Sequence, residues 1–393
     1  MYVERKLKDN FYKISDNYNM VAVIGARQAG KTTFLKKQIQ NKDSTYILFD
    51  DPDVRNLFEE DIKKFENQYI SNHKVSILDE VQYCKDAGRN LKYLVDTDHK
   101  LWITSSSEII LSKEILSFLV GRVSILKLYP FSFEEFLNAK KQKELNQKIL
   151  ERNIWEHATY GGYPKVVLAD DIDIKKTILS DIYDTMILKD VARTFSINDI
   201  RSLEEFSNFL AFSIGDIVSY DKISSKLKLS FQTVKKYLDA MQKSYLIYRA
   251  APFFTNKKKE IVKQPKLYFV DTGLRNIIAK EFNTDISGKL FENYVLTELL
   301  KMGYNPKYWR TKQKTEVDFI VESENNEMIP IEVKIQTEVG KIEKSLRAFI
   351  DYYNPKKAII VSLKGRKGKT EINGCEVIFT DILDLEKQVL LPI

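Results

Sequence analysis

Short apolar runs bounded by polar residues recur through the first 130 positions: Val21–Ile24, the centres of Thr45–Asp50 and Lys74–Asp79, Lys100–Thr104 and Val123–Phe131. Stretches of helical spacing separate them, which predicts strands of a parallel sheet lying between helices. From Phe133 to about Ile200 the pattern is mostly helical, with one interruption at Tyr160-Gly-Gly-Tyr-Pro164. Tyr220–Leu229 then reads as a short helix. Ser230 is placed to cap a second, which carries Val234, Leu238 and Met241 on one face. Two strand-like runs follow, Tyr245–Phe254 and Pro265–Asp271. Past residue 285 come a helix from Leu290, strands at Pro306–Thr311, Glu316–Glu322 and Ile329–Gln336, a helix over Val339–Asp351 and a strand at Lys357–Leu363. The whole predicts an α/β multidomain chain with segments 1–132, 133–200, 201–275 and 285–393.

The first strand drops into Gly25-Ala26-Arg27-Gln28-Ala29-Gly30-Lys31-Thr32, with Thr33 opening the next helix. This is G-x-x-x-x-G-K-[ST] at every fixed position. Gly25 and Gly30 let the loop curl so that successive N–H groups converge on phosphate oxygens, and the helix behind it adds partial positive charge. Lys31 would meet the β- and γ-phosphates, and Thr32 would offer its hydroxyl to Mg²⁺. The ligand expected is ATP with Mg²⁺. Downstream, Asp79 and Glu80 end an apolar strand, the Walker B pattern: Asp79 for Mg²⁺, Glu80 as general base for the attacking water. A further strand ends in Thr104-Ser105-Ser106, and one of these three would report the γ-phosphate; an ordinary helix cap is the competing reading.

Composition narrows the setting. Hydrophobic residues make up 44% and charged residues 30%, with no apolar run of membrane-spanning length (~18 residues) and charges throughout Met1–Lys13 where a secretory signal would be apolar. Cys84 and Cys375 are too few for a disulfide framework, and His73, His99 and His157 do not cluster. A reducing cytoplasm is expected. The formal net charge is +7, and residues 201–270, with 13 Lys/Arg against 6 Asp/Glu, carry all of it. A local basic excess suggests a polyanion-binding module.

The series GARQAGKTT, ILDEVQ, ITSSSE, GRVSILKLYPFSFEEF and YGGYP resembles the predicted AAA+ superfamily ATPases of prokaryotes, in which a P-loop domain precedes a C-terminal domain of unknown function. The resemblance covers nearly the whole chain and implies ATP binding and hydrolysis, with a helical lid after the fifth strand. Arg122 stands where such ATPases carry an arginine finger, just before that strand. A finger would imply a homo-oligomer; a surface arginine at a helix end is the alternative.

Two helices followed by a hairpin with a Lys-rich tip is the order of a winged helix. Gln232, Thr233, Lys235 and Lys236 would face a DNA major groove, with Lys257, Lys258 and Lys259 of the wing on phosphates; docking of a protein partner competes with DNA. Near the C-terminus, Asp318 and Glu332-Val-Lys334 resemble the core of PD-(D/E)xK nucleases, a restriction-endonuclease-like αβββαβ fold. That resemblance implies Mg²⁺ on Asp318 and Glu332, water activation by Lys334, and Glu292 completing the site. Val317 stands where the family's leading proline is usual. The expected function is a DNA-binding AAA+ ATPase acting through this domain. The alternative is an ATPase switch whose nuclease-like domain is inactive.

Overall fold

The computed structural model describes residues 2–39, 43–85, 87–108, 117–142, 144, 146–254, 264–323 and 327–390. Five strands, β1 (Met20–Ile24), β2 (Ser44–Leu48), β3 (Val75–Asp79), β4 (Leu101–Ser105) and β5 (Val123–Lys127), form one sheet in the order β2-β3-β4-β1-β5, parallel throughout. Every residue of β1, β3 and β4 is buried, including the polar Ser76, Asp79, Thr104 and Ser105 that interrupt or end the apolar runs of β3 and β4. β4 lies between β1 and β3. The carboxyl ends of all three therefore open on one edge, the place where open parallel sheets bind ligands. The helical stretch expected at 111–120 falls largely outside the described residues.

At the end of β1 the chain has no clearance. Gly25 has φ +154°, and a Cβ there would stand 2.0 Å from the Leu128 carbonyl oxygen. The segment leaving β5 crosses directly over the loop. It then enters the helix Phe133–Ala139, whose start is closed by the Ser132–Glu135 capping box. Buried Arg5 fastens this corner, donating to the carbonyls of Ala29 (2.8 Å) and Tyr129 (2.5 Å) and to Glu135 (3.0 Å).

Helices Gln147–Tyr160, Pro164–Leu168 and Ile172–Thr185 follow, and the last runs on without a break into a π-helix, Met186–Arg193. The Gly-Gly of the Tyr160–Pro164 interruption is a packing device. Gly162 donates to Asp271 (2.8 Å), and a Cβ on it would lie 2.3 Å from the Phe131 carbonyl. Helix Ile200–Ala211, not anticipated from the pattern, buries Leu203, Phe206 and Leu210. Helices Tyr220–Leu227 and Phe231–Lys243 then lead to the antiparallel pair β6 (Ile247–Ala250) and β7 (Lys266–Phe269). One hydrophobic cluster runs from Met20 to Ala279, so the first three segments share a core.

The C-terminal part is a mixed sheet of β8 (Lys307–Arg310), β9 (Glu316–Glu322), β10 (Met328–Gln336), β11 (Lys357–Lys364), β12 (Gly368–Ile372) and β13 (Cys375–Thr380), ordered β12-β13-β11-β10-β9-β8. β13 sits inside the sheet, parallel to β11, with β12 at the edge. Helix Gly288–Lys301 packs on it, and its Asn293 side chain bonds both the N–H (2.9 Å) and the carbonyl (2.7 Å) of Phe269 in β7.

His157 is buried where these parts meet, 2.9 Å from the Tyr294 hydroxyl and 3.1 Å from the Phe131 carbonyl. Burial first, and Lys301 second, hold its pKa well below the ordinary 6.5. Unfolding at mildly acid pH thus takes up a proton at this ring. The stabilisation is complete above about pH 6.5 and is lost as pH falls from there. In urea titrations from pH 7.5 to 5, the wild type should lose more stability than His157→Gln, by up to about 1.4 kcal/mol per pH unit. Parallel curves would remove His157 as the titrating group.

Candidate nucleotide site and C-terminal acidic cluster

The loop, the β3 end and the β4 end meet on one carboxylate. Asp79 accepts from Thr32 (2.9 and 3.0 Å), from Tyr46 on β2 (2.6 Å) and from Thr104 on β4. The same Thr104 hydroxyl accepts from the Glu80 backbone N–H at 3.0 Å. Lys31, 4% exposed, lays its ammonium on the carbonyls of Gly25 (2.9 Å) and Ala26 (3.0 Å). Burial pushes this lysine below its usual value, against the pull of Glu80, Asp190 and Asp79. A hydroxyl and a carboxylate side by side at the head of a phosphate loop fit Mg²⁺, which takes hard oxygen ligands and keeps several waters. Gly30 opens the loop helix from φ +99°, and Ala26 and Ala29 are fully buried within the turn. Gln28, at φ +59°, and Thr33, half a turn into the helix, complete the loop.

Glu80 sits at φ +61°, a left-handed conformation that costs energy for a glutamate. Burial raises its carboxyl, but Lys31, Gln82, Arg27 and Ser106 together outweigh burial and keep it below the ordinary carboxylate value. It is ionised at neutral pH. Gln82 donates to it and also reaches the Ser106 hydroxyl at 3.1 Å. The three hydroxyls of the β4 end separate here. Thr104 joins Asp79 to Glu80, Ser106 joins Gln82 to Asp190 (3.0 Å), and Ser105 turns back to the Ser107 backbone (2.7 Å). Arg27 leaves the loop sideways, to Asp190 (3.0 Å) and the Tyr83 hydroxyl (2.6 Å). Arg122 lies apart from the site on the surface, paired with Asp96 at 2.6 Å.

In helix Phe231–Lys243, Gln232, Lys235 and Lys236 are exposed and Thr233 is half-buried, bonded to the Ser230 cap. Lys236 reaches the Ser196 carbonyl at 2.9 Å. Lys257, Lys258 and Lys259 lie outside the described residues.

At the C-terminal cluster, Asp318 on β9 accepts from the Val333 N–H (2.8 Å), and Lys334 pairs with Glu332 (2.8 Å) on β10. A lysine from outside the C-terminal sheet, Lys266 of β7, enters this group. It is 3% exposed and pairs with Glu292 (3.1 Å) and with Glu316. Burial raises Asp318 well above the carboxylate range, with Glu292 and Glu332 adding to it and Lys266 opposing. Burial works against the Lys266 charge, but Glu292, Glu316 and Asp318 outweigh it and raise its pKa. Among the described residues, no three His, Cys, Asp or Glu side chains converge at metal-binding distance. As placed, Glu292 and Glu316 hold the Lys266 ammonium.

Residues 17–137 match the model of an AAA domain, 151–285 a domain of unknown function (DUF8612), and 287–380 a second one (DUF4143). An uncharacterized protein of Haemophilus influenzae is 30% identical over 378 residues, 91% of this chain and 92% of that protein. Another, from Methanocaldococcus jannaschii, is 32% identical over 356 residues, 84% and 79% of the respective chains. The chain belongs to this family of AAA-type P-loop ATPases. Among solved structures, the Walker-type ATPase of Pyrococcus abyssi covers 70% of this chain and 96% of its own at 15% identity, with a TM-score of 0.47, a likeness too loose to carry an argument. Among the described residues, no helix is long and apolar enough to cross a membrane.

Pattern reading of this AAA-type chain missed Tyr46, Gln82, Asp190 and Lys266. Gln82, in the ILDEVQ motif, had a local signal; the other three reach their partners only through the fold. Thr104→Val should leave nucleotide affinity within a few-fold and lower turnover about 10- to 100-fold, the usual cost of removing a second-layer orienting group. Steady-state ATPase kinetics beside nucleotide titrations give both values, and unchanged turnover would leave Thr104 a purely structural group.

Proposed function

We propose that the protein is a Mg²⁺-dependent ATP-hydrolysing switch that binds DNA through its middle helices, with the C-terminal domain as a scaffold. The observation that carries the ATPase part is the hydrogen-bond chain Thr32–Asp79–Thr104–Glu80. Bound Mg²⁺ supplies charge neutralisation at the phosphates. The chain's own groups do the rest: the loop N–H groups and Lys31 orient the triphosphate, and Thr32 and Asp79 hold the metal. Glu80, ionised and steered by Gln82, takes the proton of the attacking water. Ser106, within reach of Gln82, is the better placed of the serines to register the γ-phosphate. Glu80→Gln should keep ATP binding and abolish turnover; unchanged turnover would displace Glu80 as the base.

For DNA, the winged-helix reading rests on the exposed face of helix Phe231–Lys243 and the basic excess of its segment. In fluorescence anisotropy with a labelled duplex, affinity should fall with salt, and Lys235→Ala should lower the log–log salt slope by about 1. Binding with no salt dependence would favour protein docking. Arg122 remains a candidate finger for a neighbouring copy, tested by rescue of turnover on mixing Arg122→Ala with Lys31→Ala subunits.

One observation favours the nuclease reading: Glu332 Oε2 is buried without a hydrogen-bond partner among the described residues. If that reading holds, plasmid DNA incubated with Mg²⁺ or Mn²⁺ is cut by the wild type and not by Asp318→Ala. The scaffold reading expects no cutting by either.

A further inference from the structure

Asp190 belongs to neither the loop nor the β4 end, yet it touches both. It lies in the π-helix Met186–Arg193, 2% exposed, 163 residues from its partner Arg27. One carboxylate thus holds the loop arginine by its Nε and one terminal nitrogen, and also accepts from Ser106, the serine bonded to Gln82 of the Glu80 pair. Its backbone carbonyl accepts from the fully buried Ser244 hydroxyl at 2.8 Å. Ser244 is the C-terminal cap of helix Phe231–Lys243. A second contact runs beside it, with the Ser107 hydroxyl 3.5 Å from the Lys243 carbonyl.

We infer that Asp190 is the positioning residue through which the nucleotide state reaches helix Phe231–Lys243. The inference rests on the ATPase reading above. Arg27 has a fixed charge and a forked donor set, and a phosphate in the loop competes with Asp190 for it. Losing Arg27 leaves Asp190 a buried carboxylate without its counter-charge, which it resolves by moving or by taking a proton; burial already raises its carboxyl, opposed by Arg27. A wide-turn helix is a segment suited to such a shift, because π-turns are high-energy insertions that cluster at functional sites. Any displacement of the Asp190 backbone is passed to Ser244, one residue past the end of the helix that carries Gln232, Lys235 and Lys236. The device is a coupling between two sites, with the Arg27–Asp190 pair as its bistable contact.

The test uses the full chain with Mg²⁺ and a non-hydrolysable ATP analogue, or with ADP. Amide hydrogen exchange is followed over 186–193 and 231–244. In the wild type the analogue should change exchange in both segments and ADP should change it less. Ser244→Ala should bind the analogue with unaltered affinity and keep the response at 186–193 while losing that at 231–244. Asp190→Asn weakens the competitor for Arg27, so its preference for analogue over ADP should rise about tenfold, within the usual range of coupling between sites; Asp190→Glu should restore the wild-type ratio. If Asp190→Asn does not fold, the Ser244→Ala exchange pattern decides alone. A Ser244→Ala response at 231–244 equal to that of the wild type overturns the coupling. So does a folded Asp190→Asn with unchanged discrimination. A wild type that binds neither nucleotide sinks the ATPase reading itself, a separate result.

Discussion

The structure is organised by one buried carboxylate. Asp79 is 3% exposed and accepts from three hydroxyls carried by the loop helix, β2 and β4. A buried charge of this kind is tolerable only when its lone pairs are matched, so the positions of those three elements are set by its needs. The strand order then does the rest. Because β4 is inserted between β1 and β3, the hydroxyl of Thr104 can bridge Asp79 and Glu80, and no side chain has to cross an intervening strand.

The second constraint is steric. The segment after β5 passes over Gly25 and meets Gly162 with no room for a side chain at either place. These contacts tie the sheet to the helices that follow and bring Asp271, His157 and the Tyr160–Pro164 turn together in one buried junction. Met20 and Ala279 belong to a single apolar cluster despite lying far apart in the chain.

Much of the parallel sheet was legible from sequence, since each of its strands is centred on a short apolar stretch and the loop carries its chemistry in eight adjacent residues. The boundaries of β6 were less so: Tyr245–Phe254 reads as one long strand, but Ile247–Ala250 pairs with β7 while Ala251–Phe253 turns to bond Tyr308. The ion pairs of Asp190 and Lys266 were not legible. Both residues sit in stretches with ordinary patterns, and their roles depend on partners 163 and 26 positions away. Nothing in Asp318…Glu332-x-Lys334 announces that a lysine from β7 will pair with Glu292 and Glu316 beside it. Ser105 was legible only as one of three hydroxyls, because which of them faces the site depends on how the strand end turns.

The Asn293 amide bears on how this protein can be divided. Its N–H and C=O mimic a neighbouring backbone and bond the β7 edge at Phe269, while Lys266 on the same strand is paired, among the described residues, with carboxylates of the C-terminal part. A fragment ending near residue 285 would therefore leave the N–H and carbonyl of Phe269 without their partner and strand a buried ammonium, although Leu267 on the same edge keeps its bonds to Gly215 and Asp216. Open edges recruit other chains. The seam between the two matched regions of unknown function is thus a poor place to cut: the N-terminal piece is a candidate for self-association, and an oligomer seen with such a fragment would report the cut and not the intact molecule.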